Sequence, residues 1–305
     1  MRNRPLGHHR PAIHDVKAVL HAQAEIQVLL HQQVVQRAAG QFFTSPTEMQ
    51  LARATFQPYR PRREITLGYG VAQPPPLASE MAGAFSDRCP GLGRHPYFLF
   101  LGRIDYKKGI DLLIRAYAEV CRRLGASSVP KLVIAGPGGD TKYGMEVHKL
   151  GRELCDQDSI FWPGMLTGPA KWGALYHCDA FVLPSHQENF GLAVVEALAC
   201  GKPVLLSNQV NIAQEIHAQG AALTQPDSAP GTIQLLTDWL KLAPAAKAAM
   251  GQRARICFRE LYGIEAVAQR LHGTLSSIGE NGQKLPRIKA QHPAQFPTIG
   301  SPRAW

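Results

Sequence analysis

Long apolar runs are missing from this sequence. None approaches the ~18 residues that a membrane-spanning helix needs, and the opening MRNRPLGHHRPAIHD has no apolar segment of the secretory kind. A helical membrane protein and an exported one are therefore not expected. A cytoplasmic location is expected, with room for peripheral contact with an anionic membrane at its inner face. Paired cysteines are missing too: Cys89, Cys121, Cys155, Cys178, Cys200 and Cys257 include no CxxC, and several sit in apolar, helix-like stretches. That argues against a disulfide framework or a zinc site and for small core residues in a reducing compartment. Acidic residues are scarce relative to basic ones, 23 against 33, for a formal charge of +10. Such a balance favours anionic partners, whether nucleotide phosphates, nucleic acid or an acidic membrane. Aromatic residues do not interleave with the basic clusters at Arg2, Arg4, Arg10 or Arg60, Arg62, Arg63, so the base-stacking platform of a nucleic-acid binder is absent and no nucleic-acid partner is expected.

What the chain does have is apolar material, 45% of its residues, enough for a substantial core. From residue 97 onward short apolar runs recur: YFLFL (97–101), KLVIA (131–135), SIFW (159–162), AFVLP (180–184), PVLLS (203–207) and AALT (221–224). Between them lie stretches with apolar positions at helical spacing, such as GIDLLIRAYAEVCRRL (109–124) and PAKWGALYHC (169–178). Buried strands alternating with helices predict an α/β chain with a Rossmann-like, doubly wound parallel sheet. Upstream, a long helix over 12–39, a strand at QFFT (41–44), a helix opening at Ser45-Pro46-Thr47-Glu48 and a strand in EITLGYGV (64–71) are expected. Ser45 is placed as helix cap, with Glu48 closing a capping box. Helices are expected over 228–242, 244–261 and 263–277. This divides the chain into a partial Rossmann-like domain at 1–71, a Pro-rich linker at 72–96, a ligand-binding Rossmann-like domain at 97–262, a C-terminal helix at 263–280 and a disordered tail at 281–305. No internal repeat is present.

In doubly wound sheets, ligands bind in the crevice outside the carboxyl ends of the strands. The loops that should lie there contain Gly102-Arg103, the run Gly136 to Asp140, Pro163-Gly164, Ser185 to Gly191 and Ser207-Asn208. Arg103 offers a planar fork and Lys108 a mobile point charge, together suited to a diphosphate; alone, they read equally well as two surface cations. Asn189-Phe190-Gly191-Leu192 opens a helix whose free N–H groups and positive dipole end suit an anion, and Gly191 permits close backbone approach. Glu188 stands just ahead of that helix. Glu196 sits in the apolar run AVVEALAC, where its oxygens require partners. Taken singly these are a helix-start carboxylate and a solvent-facing one; together with Arg103 and Lys108 at one sheet edge they read as a site.

GRIDYKKG followed by LPSHQENFGLAVVEALACGKPV resembles the family-four (group 1) retaining nucleotide-sugar glycosyltransferases, whose pattern is G-R-x-x-x-x-K-G and then Glu-x7-Glu with Phe-Gly after the first glutamate. Glu188 and Glu196 have that spacing, and the resemblance spans most of residues 41–277. It implies the GT-B fold, two Rossmann-like domains facing across a cleft. The implied activity is metal-independent transfer of a hexose from a nucleotide-diphosphate sugar to a saccharide or lipid-linked acceptor, with retention, as in polysaccharide biosynthesis. No cofactor is implied, the nucleotide sugar being a substrate. On this resemblance Arg103 and Lys108 bind the donor diphosphate and support its departure. Glu188 holds the hydroxyls of the transferred sugar and Glu196 those of the ribose. Gly102, Asn189, Phe190, Gly191 and Leu192 line the sugar and phosphates, and the base lies near Pro163, Gly164 and Met165.

The chain departs from the family pattern in places. Asn189 stands where glycine is commoner, SNQVNIAQEI (207–216) replaces a Gly-Gly turn and brings Asn211 near the diphosphate region, and EITLGYGV lacks a Pro-Asn-Gly. Residues 1–70 correspond to the last third of the acceptor domain, so a truncated acceptor half is expected, and His8, His9 and His14 read as surface residues. The competing reading is a non-catalytic nucleotide-sugar binding module or an inactive truncated product. An epimerase of the same fold fits the paired motifs less well, and a glycoside hydrolase would need carboxylates flanking the scissile bond.

Overall fold

A computed structural model describes Val35, residues 38–56 and residues 58–280 of the chain. The helix expected over 12–39 lies almost wholly outside the described residues, as do His8, His9, His14 and the tail at 281–305.

Six parallel strands form the central sheet: β3 (Tyr97–Leu101), β4 (Lys131–Ala135), β5 (Ile160–Gly164), β6 (Ala180–Leu183), β7 (Val204–Ser207) and β8 (Ala222–Gln225), arranged β5-β4-β3-β6-β7-β8. Each strand follows from an apolar run read in the sequence. All five residues of β3 and all four of β6 and β7 are buried, because helices cover both faces of a parallel sheet and leave no side for polar residues. Phe98, Leu99 and Phe100 are fully enclosed, each gaining roughly 1.5–3 kcal/mol from burial. The chain order reverses between β3 and β6, which pair directly through Phe98 with Ala180 and Leu99 with Phe181. That reversal opens a crevice at the carboxyl edge, between the loops after β3 and β6, whose connections lead away to opposite sides of the switch point.

Before the sheet come β1 (Gln41–Phe43), α1 (Pro46–Thr55), β2 (Glu64–Thr66) and α2 (Ser79–Ser86). β1 and β2 pair in parallel as a separate two-stranded sheet. The strand expected over 64–71 is shorter than its apolar pattern: after Thr66 the chain leaves β2, and Val71 pairs instead with the turn at Tyr262 to Ile264, donating its N–H to Tyr262 O at 2.8 Å and accepting from Ile264 N at 3.1 Å. Ser45 caps α1 as expected, accepting from Glu48 N at 3.1 Å. The Glu48 carboxylate does not close on Ser45, however; it takes the N–H and hydroxyl of Thr44 at 2.6 and 2.7 Å. Within the stretch read as linker, α2 is a packed helix that buries Met81 and Phe85, and the Phe85 ring lies 5.3 Å from that of Tyr97 in β3. Apolar spacing in so short a helix is hard to distinguish from a Pro-rich linker until a partner surface is known.

The helices after β3 are α3 (Ile110–Leu124), α4 (Lys142–Leu154), α5 (Gly168–His177), α6 (Leu192–Ala199), α7 (Ala213–Ala218), α8 (Ala229–Lys241), α9 (Pro244–Cys257) and α10 (Ile264–Glu280), with a wide, five-residue turn at Phe258–Tyr262 joining the last two. α3 buries Ile110, Leu113, Ile114, Tyr117 and Val120, the i, i+3, i+4 stripe that sequence spacing predicts. It starts where it does because of Gly109. That residue has φ +65°, and a Cβ there would lie 2.1 Å from Pro184 O at the end of β6. Only glycine tolerates both conditions, and the close approach draws the loop bearing Lys108 against the loop after β6. No helix among the described residues is long and apolar enough to cross a membrane.

Candidate functional site

At the β3/β6 reversal lies a cleft of about 640 Å³, lined from one side by Gly102, Arg103 and Lys108 and from the other by Glu188 to Leu192. Two backbone ties hold the first loop to its neighbour: Gly102 N donates to Ala135 O at 3.0 Å and Ile104 N to Pro137 O at 2.8 Å. Asp105 then caps a short turn over Tyr106–Lys108 by accepting from Lys107 N at 3.0 Å. The two loops are joined in turn, since Lys107 O accepts from His186 N at 2.8 Å and from the Ser185 hydroxyl at 2.9 Å. His186 is itself fixed by Asp227, 3.0 Å from its Nδ1, and by stacking on Tyr106 with ring centroids 5.0 Å apart. The result is a rigid frame under the cleft.

On that frame Lys108 and Glu188 meet as an ion pair, with side chains 24% and 16% exposed. Arg103 is exposed and has no hydrogen-bond or ion-pair partner among the described residues. Behind Glu188, Gly191 adopts φ +77° and α6 begins without any side-chain cap. The amides of Leu192 and Ala193 therefore keep their N–H groups for whatever occupies the cleft, at the positive end of the helix, whereas Val194 N already donates to Gly191 O at 2.9 Å. Phe190 anchors the loop from below, only 8% exposed, with Tyr69 at 5.5 Å and Tyr262 at 5.7 Å between ring centroids. Two cations, a carboxylate and free amides thus converge on one space, an arrangement able to hold a diphosphate beside a group rich in hydroxyls.

Three of the residues singled out in the sequence lie elsewhere. Glu196 is not among the residues lining the cleft; its carboxylate accepts from Lys171 of α5 at 2.8 Å, with both side chains about one-fifth exposed. The partner that its apolar surroundings demanded is that lysine. Gly164 and Met165 line a neighbouring pocket of about 220 Å³ together with Gly136, Gly138, His148 and Trp162. There the His148 ring lies over Trp162 with centroids 3.8 Å apart, and burial pushes its pKa down, with Arg152 adding to the effect. One backbone acceptor beside this pocket is already engaged, because Arg88 donates to Pro163 O at 2.7 Å. Tyr69, Tyr262, Lys171 and His148 carry no local motif, and nothing in the sequence near them marks them as neighbours of the cleft.

The family model for glycosyl transferases group 1 matches residues 91–256, more than half of the chain. This chain belongs to the group 1 glycosyltransferases. The match runs from just before β3 into α9 and takes in every residue of the cleft described above. Among curated relatives of this group 1 glycosyltransferase, an uncharacterized glycosyltransferase of Methanocaldococcus jannaschii is 34% identical over 146 residues, 46% of this chain and 36% of that protein. The D-inositol 3-phosphate glycosyltransferase of Segniliparus rotundus is 30% identical over 190 residues, 61% of this chain and 41% of the relative. The chain thus spans about two-fifths of the length of these relatives. Of solved structures, the sucrose-phosphate synthase of Thermosynechococcus elongatus superposes with a TM-score of 0.66 at 21% identity, covering 85% of this chain and 63% of that one. Anabaena HepE in complex with UDP and glucose gives a TM-score of 0.65 at 19% identity, covering 82% and 66%. At such identities the likeness concerns the fold, which is GT-B, with the six-stranded sheet described above as its Rossmann-like unit.

Proposed function

We propose that the cleft at the β3/β6 reversal binds the diphosphate and sugar of a nucleotide-diphosphate sugar. In this reading the group 1 glycosyltransferase passes that sugar, a hexose, to a hydroxyl of a saccharide or lipid-linked acceptor, with retention of configuration and without a metal ion. The observation that carries the reading is the meeting of Lys108 and Glu188 beside the uncapped start of α6, with Arg103 alongside. In the transfer, the bond from the anomeric carbon to the diphosphate oxygen breaks and a bond to the acceptor oxygen forms, while the acceptor's proton leaves toward the departing phosphate or solvent. Negative charge grows on the leaving diphosphate. Fixed cations and helix amides aimed at that position stabilise it without reorganisation. Glu188, able only to accept, suits sugar hydroxyls. A nucleotide sugar that presents hydroxyls to Glu188 and phosphate oxygens to Lys108 keeps both charges partnered, so exchanging the ion pair for the substrate leaves no buried charge unmatched. The UDP and glucose held by Anabaena HepE and the name of the Segniliparus relative support a nucleotide sugar and a polyol or saccharide acceptor.

The test is calorimetric titration of the purified chain with UDP, GDP and ADP in the presence of a chelator, with transfer and donor hydrolysis assayed alongside. One of the diphosphates is expected to bind. No binding, or binding that requires Mg²⁺ or Mn²⁺, overturns the reading. Binding with neither transfer nor hydrolysis instead identifies a nucleotide-sugar binding module.

A further inference from the structure

Asn189 lies between the residue that faces the sugar and the phenylalanine that anchors the loop, and its side-chain amide is used at both ends. Its Oδ1 accepts from Asn211 Nδ2 at 2.9 Å. Its Nδ2 donates across to the β1–α1 unit, to Glu48 Oε1 at 3.3 Å and to Thr44 Oγ1 at 3.4 Å. On the far side, Glu48 Oε2 takes both donors of Thr44 at 2.6 and 2.7 Å. The proton count is consistent throughout: the carboxylate can only accept, so the nitrogen of Asn189 must face Glu48 and its oxygen must face Asn211. Asn211 then completes the circuit to the cleft, donating its backbone N–H to Glu188 O at 2.9 Å, while Glu188 N donates to Gln209 O at 3.2 Å.

We propose that Glu48 is a positioning residue for Glu188, acting through Asn189, so that the β1–α1 unit sets the geometry of the cleft loop. Glu48 contributes only one oxygen to its own helix start, and the other spans more than a hundred residues of sequence to reach the cleft. The loop is anchored at Phe190 by rings below it and at Glu188 by the 209–211 backbone. The Asn189 amide joins these supports to the preceding domain, so a displacement of β1–α1 is transmitted to the backbone beside the Glu188 carboxylate. Any ligand or motion that shifts this unit therefore changes how the loop presents Glu188. For its kinetic consequence the inference rests on the donor-site reading above; for its structural consequence it does not.

The direct test is hydrogen exchange at the Glu188 and Asn211 amides, measured without nucleotide in the wild type and in Asn189→Asp, Glu48→Ala and the double variant Glu48→Gln/Asn189→Asp. Asn189→Asp sets a second carboxylate against Glu48, and exchange is expected to quicken about five-fold or more, the effect of losing a hydrogen bond of ordinary strength. The substitution is on an exposed loop and leaves the core intact, whereas Glu48→Ala also weakens the start of α1. In the double variant the new amide at position 48 can donate to the new carboxylate at position 189 while its oxygen keeps Thr44, so exchange is expected to return close to the wild-type rate. Any loss in the KM for donor or in kcat should recover with it. Unchanged exchange in Asn189→Asp and Glu48→Ala, or a double variant no slower than Asn189→Asp alone, overturns the proposal. If exchange responds and is rescued in a chain that binds none of UDP, GDP and ADP, the link stands and the donor-site reading falls.

Discussion

Replacing Lys108 with methionine separates its pairing with Glu188 from the diphosphate contact proposed for it, because methionine keeps the stem and removes the charge. In the folded protein the Lys108 and Glu188 side chains are 24% and 16% exposed, so the pair lies between a surface bridge, worth ~0–1 kcal/mol, and a buried one, whose breaking costs ~3–5 kcal/mol. Leaving Glu188 unpartnered should therefore cost about 1–2 kcal/mol of stability, read as a lower denaturant midpoint at unchanged slope. Loss of a charged hydrogen bond to phosphate should weaken nucleoside diphosphate binding by about 1–3 kcal/mol, roughly five- to 150-fold in Kd. Adding Glu188→Gln to Lys108→Met removes the stranded charge, so most of the stability should return. The affinity should not, since the missing contact is to the ligand. Arg103→Ala is the matched contrast: exposed and without a partner among the described residues, it should lose similar affinity while stability stays within about 0.5 kcal/mol of wild type. Calorimetry with the diphosphate that binds, paired with urea denaturation of each variant, provides both readings. If Lys108→Met binds as tightly as wild type, or if the double variant recovers affinity, Lys108 does not contact the diphosphate and the assignment is wrong.

Glu188→Gln alone keeps the shape of the side chain and should abolish sugar transfer and donor hydrolysis wherever the wild type shows them, with circular dichroism unchanged; full activity in that variant removes the role assigned to Glu188. His148 makes a prediction about pH. Burial over Trp162 lowers its pKa in the folded state, so the unfolded chain binds the proton more readily. Its contribution to stability is present above the unfolded value of ~6.5 and is lost as pH falls from there toward the lower folded value. His148→Phe, which can still stack on Trp162, should flatten that part of the stability profile below about pH 6.5; an unchanged slope in denaturation midpoints would place the proton linkage elsewhere.

Much of this protein is legible without coordinates, for a local reason. Runs such as YFLFL and PVLLS can be little other than buried strands, and the stripe from Ile110 to Val120 can only be one face of a helix, because each pattern is set by the period of the backbone itself. Alternation of the two dictates a parallel sheet, and a parallel sheet places its loops at a common edge, so Arg103, Lys108, Glu188 and the Asn189 to Leu192 turn could be brought to one place from their positions in the strand-and-loop order alone. What those residues touch was not legible. Lys108 and Glu188 are 80 positions apart, and it takes the close approach of Gly109 to Pro184 to bring them into contact. Glu196 has the spacing of a cleft residue, yet the 3.6-residue turn of α6 and the packing of α5 deliver it to Lys171. The Pro-rich stretch conceals α2, whose amphipathic face is recognisable only against the surface that buries Met81 and Phe85. Glu48 looks like half of a capping box, and only the tertiary structure reveals that its second oxygen belongs to a loop 141 residues away. Backbone periodicity is written into neighbouring residues, whereas the pairing of side chains is decided by which crossovers bring distant loops together, and that information exists only once the sheet has formed.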